Sequence, residues 1–180
     1  LLDWYDTNPC KIIRFQQNFG HKVLWNSGIF YKEVADSDYY IVTDPDLDLS
    51  SVPLDVIDRL KYGLDKYNQH KCGLAIKIDD LPDGYPLKDQ VLIWETPFWQ
   101  KPLEDEFYQA PLDTTFALHR ASSRQHSIGG VRLGGEYTLR HMPFYLTKDT
   151  ITEEIKYYFN HCDLNTSSQA RYLLNWVNNQ

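Results

Sequence analysis

Short apolar runs alternate with amphipathic stretches along this chain, and the spacing of the apolar positions assigns an element to each. The runs KIIRF (11–15) and YYIVT (39–43) are brief, rich in β-branched and aromatic residues and without helical spacing, so they predict buried strands. Between them, SGIFYKEVAD predicts a short helix capped by Ser27, completing a β-α-β unit. The stretch SSVPLDVIDRLKYGLDKYNQ carries Pro53 near its start. It sets Val56, Ile57, Leu60, Leu64 and Tyr67 on one face, the pattern of a helix lying on a sheet. GLAIKI (73–78) predicts the next strand. After the turn-rich DDLPDGYP come a helix around LKDQVLIWE, a strand around DTTFALHR and a glycine-spaced segment, SIGGVRLGGEYTLRH. Two helical patterns follow, the first of which, TITEEIKYYFNH, opens with Thr150 and Glu153 at the spacing of a capping box. This alternation predicts an α/β fold: one domain over residues 1–180, with a mixed, mostly parallel central sheet flanked by helices.

Composition narrows the classes of function. A chain of 180 residues with 42% hydrophobic and 14% aromatic content can bury one sizeable core. Its formal net charge of −7 and pI near 5.3 argue against a nucleic-acid or anionic-membrane surface, because phosphate backbones are met by a basic face. Cys10, Cys72 and Cys162 are odd in number and form no C-x-x-C pair, so neither a disulfide framework nor a zinc site is indicated. The expected compartment is reducing and cytoplasmic. No apolar stretch approaches the ~20 residues of a transmembrane segment, and LLDWYDTNPC lacks the basic and apolar blocks of a signal peptide and reads as mid-domain sequence.

The candidate chemistry begins at YYIVTDPDLDLS, where an apolar run ends in Asp44, Asp46 and Asp48 at every second position. Three like charges repel one another unless a cation sits among them. In open α/β sheets ligands lie at the carboxyl ends of strands, and Asp44 and Asp46 project just beyond such an end with Pro45 stiffening the bend between them. Two accounts fit these residues. The step is a turn followed by a helix cap, or it is a pair of hard oxygen ligands for Mg²⁺ or Mn²⁺.

Further segments bear on that choice. Asn18, Phe19 and Gly20 precede a helix and a hydrophobic strand that lead into Asp44, Pro45 and Asp46. This order resembles the family-2-like GT-A glycosyltransferases, in which an Asn-x-Gly, a helix and a strand run into an Asp-x-Asp metal motif. GLAIKIDDLPDGYPLKDQVLIWETPFW, APLDTTFALHR and GGEYTLRHMPFYL are similar to segments of a bacterial and viral glycan-building group of these enzymes, so the resemblance spans residues 11 to 146. It implies a Rossmann-like GT-A domain that here starts near the first helix, with the first strand missing from the sequence.

The resemblance also implies an activity: metal-dependent, inverting transfer of a hexosyl or deoxyhexosyl group from a nucleotide sugar (UDP- or GDP-sugar) to a glycan acceptor. By the same resemblance Asp46 ligates the metal, Asp44 lies near the ribose or a second metal position, and Asn18 and Gly20 belong to the nucleotide site. His141 becomes the third metal contact, Arg140 a partner for phosphate oxygens and Asp113 the acceptor base. Each has a plainer account as well: a hydrogen-bonded core histidine, a surface arginine and a turn aspartate bonded to Thr115.

Asp79, Asp80 and Glu136 are alternates for the base, and Asp48 reads as a solvated or helix-start charge. Gly129, Gly130, Gly134 and Gly135 lack the Gly-Lys-Ser/Thr ending of a P-loop and are expected to permit a mobile loop. Trp94, Phe98 and Trp99 offer a flat platform for a sugar or pack in the core, and Trp25 reads as core. Two further classes stay open: a metal-dependent phosphoryl hydrolase that uses the Asp-x-Asp, and a non-catalytic carbohydrate- or nucleotide-binding module of the same fold.

Overall fold

The computed structural model describes Thr7 and residues 9–113, 115–122, 129–162 and 170–179. The chain enters through a 3-10 turn at Gly20–Lys22 and two short helices, α1 (Val23–Asn26) and α2 (Ile29–Glu33). Strand β1 (Tyr39–Val42) follows, then the two-residue β2 (Leu47–Asp48), helix α3 (Val56–Lys66) and β3 (Lys71–Leu74). Helix α4 (Lys88–Glu95), continued by a 3-10 turn at Thr96–Trp99, leads to β4 (Phe107–Gln109), β5 (Ala117–Arg120) and β6 (Val131–Leu133). The two-residue β7 (Arg140–His141) and helices α5 (Glu153–His161) and α6 (Ala170–Asn178) complete the order.

The main sheet has the order β1-β5-β3-β6-β4, and a separate ribbon pairs β2 with β7. The mostly parallel sheet expected from the sequence is not what forms. β1·β5, β3·β5 and β4·β6 are antiparallel, and β3·β6 is the parallel pair. The reason lies in what the alternation of strands and helices leaves open. β1, β3 and β6 do run the same way. But β5 inserts between β1 and β3 in the opposite sense, and β4 closes the edge of β6 likewise. A consequence for function survives: the carboxyl ends of β1, β3 and β6 share one edge with the starts of β4 and β5, because Val42 and Gly73 both pair with Ala117 and Leu133 pairs with Phe107.

α3 packs on one face of the sheet. Leu60 and Leu64 are fully buried against Cys72, Leu74, Phe107, Leu118, Val131 and Leu133, as the apolar spacing requires. Ile57, expected on the same face, is 40% exposed. Gly63 takes part instead, because a Cβ there would collide with the Phe107 ring. The other face carries α1 and α2, with Phe30 and Tyr40 buried, Tyr40 stacked on His119 at 4.7 Å and Trp25 packed alongside. A third cluster joins the loop after β3 to α4, α5 and α6 through Leu81, Tyr85, Leu87, Val91, Phe159, Leu173 and Val177.

Local expectations differ at other points as well. GLAIKI, expected as a strand over 73–78, is strand only at its start, because β3 runs Lys71–Leu74 and Ile76 makes an isolated bridge to Leu139. Residues 11–15 form no strand, and Ile12, Ile13 and Phe15 are each more than a third exposed, so the first β-α-β unit lacks its opening strand. The helix after them starts at Ile29 on Gly28 at φ +77, while the Ser27 hydroxyl donates to Val23 O. α5 is capped by Thr152, whose hydroxyl accepts from Ile155 N, whereas Thr150 bonds back to Thr147.

Candidate functional site

β1 delivers the chain to the edge at Val42, and Thr43, Asp44, Pro45 and Asp46 turn it into β2. β2 is held by β7 with Leu47 opposite His141 and Asp48 opposite Arg140, and Met142 N donates to Asp46 O at 2.8 Å. This two-stranded ribbon explains how residues far apart in the chain meet. Asp46 Oδ2 lies 3.4 Å from His141 Nε2. The His141 ring stands edge-on to Phe144 with centroids 4.4 Å apart, which fixes its plane. The hydrogen bond from His141 holds the Asp46 carboxyl below the ordinary carboxylate range, against the opposing effect of burial. Asp46 Oδ1 and His141 Nδ1 are both buried and have no hydrogen-bond partner among the described residues.

Arg140, expected to face phosphate, is turned onto protein carboxylates. Its Nε and Nη2 donate to Asp80 Oδ2 at 2.9 and 2.6 Å, and Nη1 lies 3.9 Å from Asp48 Oδ2. Tyr145 Oη donates to Asp80 Oδ1. Burial works to raise the Asp80 pKa, but the bonds from Tyr145 and Arg140 prevail and hold it below the usual range. Asp80 is thus a satisfied strut between the loop after β3 and the β7 segment, which argues against its use as a base. Asp48, expected to be a solvated or helix-start charge, instead lies in β2 and accepts from Ser50 N at 2.9 Å.

Asp113 lies four positions before the first residue of β5, at the same sheet edge, with its side chain 62% exposed and 3.9 Å from His21 Nε2. Gly20, at φ +67, donates its N–H to Asn18 Oδ1 at 2.7 Å, a local turn that sets His21 beside Asp113. The structure therefore joins the Asn18–Gly20 turn to Asp113, and joins Asp46 to His141. Asp79 pairs with Lys77 at 2.9 Å, and Glu136 sits in a 3-10 turn at Gly135–Tyr137.

The glycine-spaced segment, expected to permit a mobile loop, packs closely at several of its glycines. A Cβ on Gly130 would lie 2.7 Å from Lys71 O, and one on Gly134 would lie 2.8 Å from the Tyr108 ring. Gly135, at φ +58, packs against the Glu106 carboxylate. These are close-approach positions. Among the aromatics, Trp94 is exposed and Phe98 lies under the Arg132 guanidinium at 4.2 Å.

Two features escaped sequence reasoning. Lys71 is 1% exposed, donates to Leu112 O at 2.7 Å and is coupled to Asp113; burial lowers its pKa to about 8. Arg132 and Glu95 form a buried ion pair at 2.8 Å. No local pattern marks either, because both depend on which segments cross the sheet.

Among the described residues, no group of three or more His, Cys, Asp or Glu side chains converges as a metal site would require. Nor does any helix among them have the length and apolar character to cross a membrane. Comparison with protein-family models, curated proteins and solved structures finds no match to this chain.

Proposed function

We propose that the chain is a metal-dependent glycosyltransferase of the GT-A kind, moving a sugar from a UDP- or GDP-sugar to a glycan hydroxyl with inversion. The observation that carries this reading is the Asp46–His141 pair, in which a carboxylate and an imidazole face each other and each keeps a buried polar atom with no partner among the described residues. Buried polar atoms are normally satisfied, so such a pair at the carboxyl end of β1 favours a ligand. Two donors do not make a closed structural site. They do suit Mg²⁺ or Mn²⁺, which take one or two protein ligands and complete their shell with water and substrate phosphate. Asp46 and His141 would hold the ion, with Asp44 two residues earlier beside the ribose or a second ion. The ion would supply positive charge where the leaving diphosphate gains negative charge.

The remaining roles follow from placement. Asp46 stays ionised through the neutral range, because its carboxyl is held low. Arg140 contributes a fixed positive charge, already half-answered by Asp80, and so orients the ribbon more than it clamps a phosphate. In strand order, Asp113 before β5 falls between the end of β1 and the end of β3. An acid there can take the acceptor proton while the acceptor oxygen bonds to the anomeric carbon and the bond from that carbon to the diphosphate breaks.

The test is thermal and calorimetric titration with UDP and GDP, with and without Mn²⁺, on wild type and Asp46→Asn. A nucleotide at ~100 times its dissociation constant should add about 2.7 kcal/mol of stability to wild type in the presence of Mn²⁺. Asp46→Asn should fold and lose that response. Unchanged metal dependence in the mutant would reduce Asp44-Pro45-Asp46 to a turn. Equal stabilisation by inorganic phosphate would favour a phosphoryl hydrolase instead.

A further inference from the structure

A cavity of about 380 Å³ opens at the ends of β3 and β6, walled in part by Lys77, Asp79, Trp99, Tyr108, Gly135 and Thr138. That volume is at the lower end of the ~300–1,000 Å³ of small-molecule clefts. One wall is aromatic, with the Trp99 and Tyr108 rings edge to face at 5.0 Å. Other lining residues are polar. Asp79 and Lys77 are paired at 2.9 Å, and the Thr138 hydroxyl donates to Gly135 O at 3.1 Å. Trp99 Nε1 is buried and has no acceptor among the described residues. Trp N–H groups usually find a partner when buried, so an oxygen from a bound molecule would complete this one.

Charge selects against an anion in this cavity. Lys77 is already answered by Asp79, and Glu106, held at φ +66, brings a further carboxylate against Gly135 at the rim. What remains is an aromatic surface beside groups that donate and accept hydrogen bonds. An uncharged pyranose ring matches it, with C–H groups for the rings and hydroxyls for Asp79, Thr138 and Trp99 Nε1.

The backbone ties the cavity wall to the segment of the proposed donor site. Residues 77 and 139 are bonded backbone to backbone at 2.8 Å, and Ile76 bridges Leu139 in parallel. Thr138 in the cavity wall therefore belongs to the segment that carries Arg140 and His141. Asp113 stands between the two regions in strand order.

We infer that this cavity is the acceptor subsite and takes one uncharged pyranose ring of a glycan; the term acceptor rests on the transferase reading above. Saturation-transfer NMR with methyl β-D-glucopyranoside, methyl β-D-galactopyranoside and methyl α-D-mannopyranoside measures binding, with cyclohexanol as an apolar ring of similar size. UDP and GDP binding with Mn²⁺ is followed in parallel by calorimetry. At least one glycoside should bind wild type in preference to cyclohexanol. Trp99→Phe, which keeps a ring but removes the N–H, and Asp79→Asn, at an exposed position, should each weaken it by roughly 3- to 10-fold. Nucleotide affinity should be the same in both variants as in wild type. The inference is overturned if no glycoside binds, if cyclohexanol binds as tightly, or if both folded variants bind like wild type. Glycoside binding that behaves as expected without any metal-dependent nucleotide binding would overturn the acceptor role and the transferase reading together, leaving a carbohydrate site.

Discussion

Lys71 offers a prediction whose size follows from its surroundings. The ammonium is buried beneath the segment that crosses the sheet ahead of β5, and its pKa falls from 10.5 to about 8 because burial penalises the charged form. Asp113 acts in the opposite direction, raising it. Below pH 8 both folded and unfolded chains carry the proton, and holding the charge inside costs on the order of 3 kcal/mol. Between pH 8 and 10.5 the unfolded chain binds more protons than the folded one, so stability rises with pH across that window. From pH 7 to pH 10 the contribution is roughly 2 to 3 kcal/mol. Other groups titrate there too, so the informative quantity is the difference between wild type and Lys71→Met in urea unfolding at pH 7, 8, 9 and 10. Wild type should gain on the mutant steadily over that range. An NMR titration of the Lys71 ammonium should give a midpoint near 8 that drops further in Asp113→Asn, since the carboxylate that favours the charge is gone. A midpoint near 10.5, or a stability difference that does not change with pH, would refute the burial argument. A midpoint indifferent to Asp113→Asn would refute the closeness of the two groups.

Other outcomes are expected at separate points of the molecule. Asp113→Asn should leave nucleotide and Mn²⁺ affinity near wild type while transfer falls by roughly 10² to 10⁴, with the acidic limb of the pH-rate profile removed; donor affinity falling in step with rate would place Asp113 on the donor side. Glu95→Ala strands the buried Arg132 charge, whose pKa burial already lowers, and should destabilise the fold by about 3 to 5 kcal/mol in urea unfolding. A cost under ~1 kcal/mol there would mean that water reaches the guanidinium.

Much of the framework was legible in the sequence because it depends on neighbours along the chain. The positions Val56, Leu60 and Leu64 define the inner face of α3 whatever it packs on, and each lies against the sheet core in the fold. YYIV is a strand because a short β-branched and aromatic run suits a pleated surface, and Asp44 and Asp46 follow its end simply by adjacency. LKDQVLIWE and both late helical patterns form helices, with α5 capped two residues beyond the expected position.

What the tertiary structure decided is which distant segments meet. The direction of β5 between β1 and β3 depends on the crossing segment before it, and no period in the sequence encodes direction. The same crossing turns Lys71 from a strand-end charge into a buried amine, and only the packing of Leu112 over Gly73 and Gly130 shows it. His141 meets Asp46 through the β2·β7 ribbon, and Arg140 is drawn onto Asp80 by the same pairing, with Tyr145 completing the strut. KIIRF has the composition of a strand, yet it finds no neighbour among the described strands. Backbone pairing is a property of two segments, and one segment's composition does not supply the other.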